Sequence, residues 1–230
     1  MARERIPGEA VGRGAQASGA SPGSAAPGGA PTIGVLALQG DVLEHLQMLR
    51  GAGAVAVPVK RAGELDDLDG LVIPGGESTT IGKLAEMYGL FEPMRKRIAE
   101  GLPVFGTCAG AILLSSQALF ADGRPAAQPL LAVLDATARR NAFGRQVASF
   151  EGDVSVEGLG DRPVHAVFIR APWFDRVGPD VRVLATVDTP AGEKVVIVRQ
   201  GNVLAAAFHP ELTGDSRLHE LFVTMAREAA

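Results

Sequence analysis

The chain contains one cysteine, Cys108, and it lies in the pentapeptide GTCAG (106–110). A short apolar run (LPVFGT, 102–107) precedes it and a helix-forming segment (AGAILLSSQALF, 109–120) follows. Strand, Gly-x-Cys-x-Gly and helix in that order form the pattern of a nucleophile elbow, with sulfur in place of the serine oxygen. The flanking glycines leave room for a sharp turn in which the nucleophile holds a strained backbone. The start of the following helix favours the negative charge of a thiolate. A thiolate needs a base to move protons, usually a histidine held by a third group. Of the four histidines, His209 opens the tripeptide HPE directly after the apolar run NVLAAAF (202–208). Glu211 can reach that imidazole and fix its tautomer, and Asp215, a little further on, is a second carboxylate in reach. His45 and His219 fall on helical segments among polar neighbours and read as solvated, and His165 sits at a strand entrance. A third element, VIPGGEST (72–79), ends a strand in two glycines. There the N–H of Gly76, with that of Ala109 beside the nucleophile, could stabilise the oxyanion of a tetrahedral intermediate.

These groups need a scaffold that brings strand ends together. From Thr32 onward the chain alternates strand and helix. IGVLAL (33–38) reads as a buried strand; Asp41 caps the next helix with Glu44 in the capping-box position, and Leu43, Leu46 and Leu49 form its inner face. VAVPV (55–59) is a second strand, placed at a sheet edge by Pro58. LDGLVIPGG (68–76) carries the third, helices over 78–87 and 91–100 follow, and LPVFGT is the fourth. Such alternation implies parallel βαβ units. The second half is strand-rich (LLAVLDAT, VASFEGDV, VHAVFI, VRVLATV, KVVIVRQ, NVLAAAF), with antiparallel additions to the sheet expected, and DSRLHELFVTMAREAA closes the chain as an amphipathic helix through Leu218, Leu221, Phe222 and Met225. The expected fold is three-layer α/β: a mostly parallel open sheet with helices on both faces.

Composition sets the outer limits. The chain has 230 residues, 47% hydrophobic and 21% charged, with a net charge of −4, ordinary for a soluble globular protein. The acidic balance does not suggest a nucleic-acid or anionic-membrane partner, and no apolar run reaches the length of a membrane span. One cysteine forms no internal disulfide and no multi-cysteine metal site, so a reducing, cytoplasmic setting is expected. Residues 1–31 differ in kind: 22 of the 31 are Gly, Ala, Ser or Pro. They read as a disordered tail before a single domain over 32–230, having too little apolar surface to offset the cost of ordering.

Taken together, the elbow and the HPE tripeptide resemble the class I, or triad, glutamine amidotransferases, in which a Cys–His–Glu triad hydrolyses the side-chain amide of glutamine. IGVLALQGDVLEH, PGGEST, GTCAG, RRNAFGRQVASFE, FIRAP and FHPELTGD are similar to one branch, the glutaminase subunits of pyridoxal 5′-phosphate synthases, over residues 32 to about 228. The resemblance implies a triad of Cys108, His209 and Glu211, and a glutamine pocket involving Gly75, Gly76, Glu77, Ser78, Arg140, Ile169 and Arg170. An arginine fork suits the α-carboxylate of glutamine. It further implies a thioester route with no cofactor and no metal. The ammonia would pass to a (β/α)8-barrel synthase subunit in a large hetero-oligomer that makes pyridoxal 5′-phosphate. The alternatives are a glutaminase serving another synthase, a free-standing thiol hydrolase, and a binding protein that kept the fold without the chemistry.

Overall fold

The computed structural model describes residues 29–143, 149–190 and 192–230. The expected tail over 1–31 therefore lies outside the described residues except at its last three, as do GRQVA (144–148) of the RRNAFGRQVASFE motif and the first residues of the VASFEGDV strand. The first half alternates as expected: β1 (Thr32–Leu36), α1 (Val42–Gly51), β2 (Val55–Val59), β3 (Gly70–Ile73), α2 (Ser78–Met87), α3 (Phe91–Ala99), β4 (Val104–Thr107) and α4 (Ala109–Leu114). The second half supplies β5 (Ser115–Leu119), β6 (Leu134–Arg139), β7 (Ser149–Val154), β8 (Val164–Ile169), β9 (Trp173–Val177), β10 (Arg182–Thr189), β11 (Gly192–Gln200), β12 (Val203–Ala206) and α5 (Arg217–Ala229).

One large sheet runs β2-β1-β3-β4-β12-β11-β9-β6-β5, with β10 paired to β11, and β7 and β8 form a separate antiparallel pair. The strands from β2 to β12 are mutually parallel. β11 turns antiparallel to β12, and β9 to both β11 and β6. The mostly parallel sheet with antiparallel additions is thus borne out, and β2, with Pro58, lies at the edge, where a missing N–H is harmless.

Two adjacent residues of β4 establish the layering, because neighbouring strand side chains point to opposite faces. Phe105 packs edge-on against His219 and tilted against Phe222 of α5, whereas a side chain on Gly106 would meet Leu114 and Gly110 of α4. Helices α5 and α4 therefore cover opposite faces. α1 joins α5 through His45 and His219, and α2 joins α4 at Gly82 and Leu113.

Three local expectations fail. The helix after Cys108 stops at Leu114 instead of continuing to Phe120, because Ser115 is extended and pairs with Leu134 of β6. It spans fewer than two turns, so its dipole is short. Asp41 makes no capping hydrogen bond to α1; its carboxylate points elsewhere, as described below. Leu43 is 68% exposed; the buried face of α1 is His45, Leu46 and Leu49. Strands β5 and β9 had no sequence counterpart.

Candidate active site

Cys108 occupies the turn between β4 and α4 with φ 44° and ψ −101°, a conformation unfavourable for any residue with a Cβ. The surroundings impose it. The Cys108 N–H donates to the Ala206 carbonyl of β12 at 2.9 Å. The turn closes only because its flanks are glycine: a Cβ on Gly110 would lie 2.0 Å from the Ile73 carbonyl oxygen, and one on Gly106 would lie 2.7 Å from that of Gly110.

The sheet brings His209 to this turn across a hundred residues of sequence. β12 runs parallel to β4 with Ala206 opposite Thr107, so the residues after both strands emerge at the same C-terminal edge, where ligands bind in open α/β folds. The His209 N–H donates to the Val167 carbonyl of β8 at 2.9 Å, which fixes the backbone there. Its Nδ1 lies 2.7 Å from Glu211 Oε1 and 3.2 Å from Asp41 Oδ2, leaving Nε2 for the thiol. Burial opposes a charge on His209, yet Asp41, Cys108 and Glu211 outweigh it, and its pKa is pushed up to about 12. Burial raises Glu211 against the pull of the imidazolium, while the hydrogen bond to His209 lowers Asp41. Asp215, the other carboxylate considered from the sequence, is engaged with Arg217 and Arg162 instead. Asp41, His209 and Glu211 place three donor atoms within 4.8 Å of one another. Both carboxylates converge on a single imidazole nitrogen, which is a proton-holding geometry and not a set of ligands around a common centre.

Cys108 and His209 open on a cavity of about 320 Å³. Ala109, Gly76, Glu77, Ser78, Arg140, Ile169 and Arg170 all reach its wall. Gly75 does not. It packs behind His209, where a Cβ would lie 2.4 Å from the imidazole, and its carbonyl accepts from the Asp41 N–H at 3.2 Å, which orients the Gly75–Gly76 peptide.

The two arginines differ in what they have free. Arg140 donates to Glu77 Oε1 (3.0 Å), Gln128 Oε1 (2.8 Å) and Thr79 Oγ1 (3.1 Å), so its fork is committed within the protein. Arg170 is exposed at the cavity and makes no hydrogen bond or ion pair among the described residues; its backbone is held at φ 44°. Glu77 caps α2 by accepting from the Thr79 and Thr80 N–H groups. Partial burial disfavours its charge, but the donors of Thr80 and Thr79 prevail and hold it at about 2. Ser78 turns its hydroxyl to Gln128 Oε1 at 3.1 Å. Gln39, Asp41 and Asn141 also line the cavity and escaped sequence reasoning. Gln39 accepts from the Glu77 N–H at 2.8 Å; its signal was its place directly after the first strand, at the same sheet edge as the elbow.

The reading of His45 and His219 as solvated is overturned: both are 0% exposed. They lie under Glu211, on the α1–α5 face. His165 is exposed between Glu151 and Asp153, which raise its pKa through hydrogen bonds.

A strained cysteine elbow and an adjoining His–Glu pair at one cavity have the arrangement of a triad-type amidotransferase. The chain belongs to the SNO glutamine amidotransferase family, which matches residues 35–228. A pyridoxal 5′-phosphate synthase subunit PdxT of Salinispora arenicola is 61% identical over 201 residues, 87% of this chain and 98% of that one. The subunit of the same name from Nocardia farcinica is 60% identical over 200 residues, covering 86% of this chain and 87% of its own. A crystal structure titled glutamine amidotransferase superposes with a TM-score of 0.77 at 54% identity, over 84% of this chain and 98% of that chain. The resemblance to the glutaminase branch is borne out. No helix among the described residues is long and apolar enough to cross a membrane.

Proposed function

We propose that the chain is the glutaminase subunit of a pyridoxal 5′-phosphate synthase, with Cys108, His209 and Glu211 as its catalytic triad. The observation that carries the reading is the convergence of a strained thiol, a doubly carboxylate-bound imidazole, the unpaired Arg170 and the carboxylate of Glu77 on one cavity. Arg170, uncommitted, takes the α-carboxylate of glutamine through its fork. Glu77, anionic and braced by Arg140, takes the α-ammonium.

The Cys108 sulfur attacks the side-chain amide carbon, and the oxyanion is met by the N–H groups of Gly76 and Ala109. His209 Nε2 gives its proton to the leaving nitrogen, the C–N bond breaks, and ammonia departs from a thioester. Water then attacks the thioester with His209 as base; the C–S bond breaks, glutamate leaves and the thiol is restored. Glu211 holds the Nδ1–H throughout and stabilises the imidazolium. The ammonia passes to a synthase subunit with a (β/α)8 barrel in a hetero-oligomer, and a reducing, cytoplasmic setting suits the lone thiol.

The test is glutamine-to-ammonia turnover of the full chain with and without the synthase subunit. The reading expects ammonia release that depends on Cys108, with pyridoxal phosphate formed from glutamine only when both subunits are present. Substantial turnover by Cys108→Ala would overturn it.

A further inference from the structure

Two buried histidines stand outside the chemistry just described, and their placement gives them a task. Glu211 uses only one oxygen on His209. Its other oxygen, Oε2, is buried and has no hydrogen-bond partner among the described residues. The nearest polar atom of the pair beneath it is His45 Nε2, at 3.4 Å. The same nitrogen lies 2.9 Å from Thr107 Oγ1, on the residue preceding the nucleophile. On the far side of the ring, His45 Nδ1 lies 3.0 Å from His219 Nε2.

The protonation pattern follows from these contacts. Both imidazoles are neutral: burial, with the nearby histidines, drives His45 well below its usual pKa, and burial brings His219 to about 4. A neutral imidazole carries one N–H. A lone pair at His45 Nε2 would face the ionised Glu211, so the proton belongs at Nε2, where Thr107 Oγ1 accepts it at 2.9 Å and Glu211 Oε2 lies 3.4 Å away. Nδ1 must then accept, and His219 Nε2–H is the donor. This leaves the unpartnered His219 Nδ1 as a bare acceptor, a smaller cost than the orphaned N–H that the reverse arrangement would bury. The chain of rings ends there, against Phe105. It has no outlet, so it holds a proton in place and does not conduct one.

We propose that His45 is a positioning residue for the reaction: its Nε2–H supports the second oxygen of Glu211, and His219 locks the tautomer in which it can do so. The contact is long in the unliganded site, and such contacts tighten as charge develops in the reacting complex. The groups facing Glu211 are His209 on its own segment, Asp41 before α1, His45 on α1, His219 behind it on α5, and Cys108 across the imidazole. Burial and then Asp41 raise Glu211 while His209 lowers it, and a His45 N–H turned to Oε2 adds to that lowering. Removing it raises Glu211 further, so the carboxylate is lost at a higher pH.

The inference rests on Glu211 acting in the triad. The experiment uses the full chain with its synthase subunit and follows ammonia release. His45→Leu should lower kcat roughly 10- to 150-fold, the range for one hydrogen bond to a charged group. KM should stay unchanged, since His45 is not at the cavity wall, and the acidic limb of the kcat profile should move up by about one pH unit. His45→Gln, whose amide nitrogen reaches the Nε2 position, should recover most of the loss. His45→Asn, one bond shorter, should not, and this pair carries the test if His45→Leu does not fold. In a Glu211→Gln background His45→Leu should add little. An unchanged kcat and pH profile, equal loss in the Gln and Asn variants, or an undiminished loss in the Glu211→Gln background would each overturn the proposal. An active Cys108→Ala would instead overturn the triad on which it rests.

Discussion

Asp41 gives the proposed triad a second carboxylate, and Glu211→Gln is the perturbation that exposes it. In the native site Glu211 Oε1 lies 2.7 Å from His209 Nδ1 and Asp41 Oδ2 lies 3.2 Å from the same atom. Losing the only orienting carboxylate of a triad lets the wrong tautomer form and costs about 10⁴-fold in kcat. Here the proton on Nδ1 keeps an acceptor after Glu211→Gln, so the tautomer is retained and only the better of two charged hydrogen bonds is lost. That loss is worth about 1.5–3 kcal/mol, or roughly 10- to 150-fold. Asp41 is one-third exposed and more distant, so Asp41→Asn alone should cost no more than about fivefold, as solvent-screened pairs do. The double variant should approach the full ~10⁴-fold, well beyond the product of the single losses. The assay is ammonia release at saturating glutamine in the presence of the synthase subunit, with folding checked by thermal midpoint. A Glu211→Gln variant already about 10⁴-fold slower, to which Asp41→Asn adds nothing, would refute the reasoning.

Gly110→Ala should abolish the fold or cost more than about 3 kcal/mol, the upper range for overpacking, because its Cβ would sit 2.0 Å from a backbone oxygen of β3; chemical denaturation reads this directly, and a near-native midpoint would disprove the tight elbow. Arg170→Gln should raise KM for glutamine about 10- to 100-fold with a smaller effect on kcat, whereas Arg140→Gln should act through Glu77 and impair both; steady-state kinetics separates them. Deleting residues 1–28 should leave thermal stability and partner-dependent turnover unchanged, since that segment has little apolar surface to bury; a large fall in either would show that it docks.

The proposed catalytic core of this protein is written locally. GTCAG declares its elbow because two glycines and a cysteine between a strand and a helix admit few other backbones, and HPE places an imidazole and a carboxylate within two residues of each other. Strand and helix periodicity then supplies the parallel sheet that sets both motifs at one edge. Other features needed the assembled fold. His45 resembles a surface residue beside Glu44 and Gln47, and only the packing of α1 against α5 and β4 turns it inward beneath Glu211. Asp41 has the spacing of a helix cap, but the His209 ring, brought by β12, competes for its carboxylate and wins. The helix after Cys108 has apolar residues enough to continue to Phe120, and it stops because Ser115 and its successors gain a strand partner in β6. Arg140 and Arg170 are equivalent as residue types; the difference between a committed and a free guanidinium arises from Glu77, Gln128 and Thr79, which lie far from Arg140 in sequence or in unrelated elements. In each case a short-range preference worth a fraction of a kcal/mol to about 1 kcal/mol yields to burial and hydrogen bonding between segments that meet only in the folded chain.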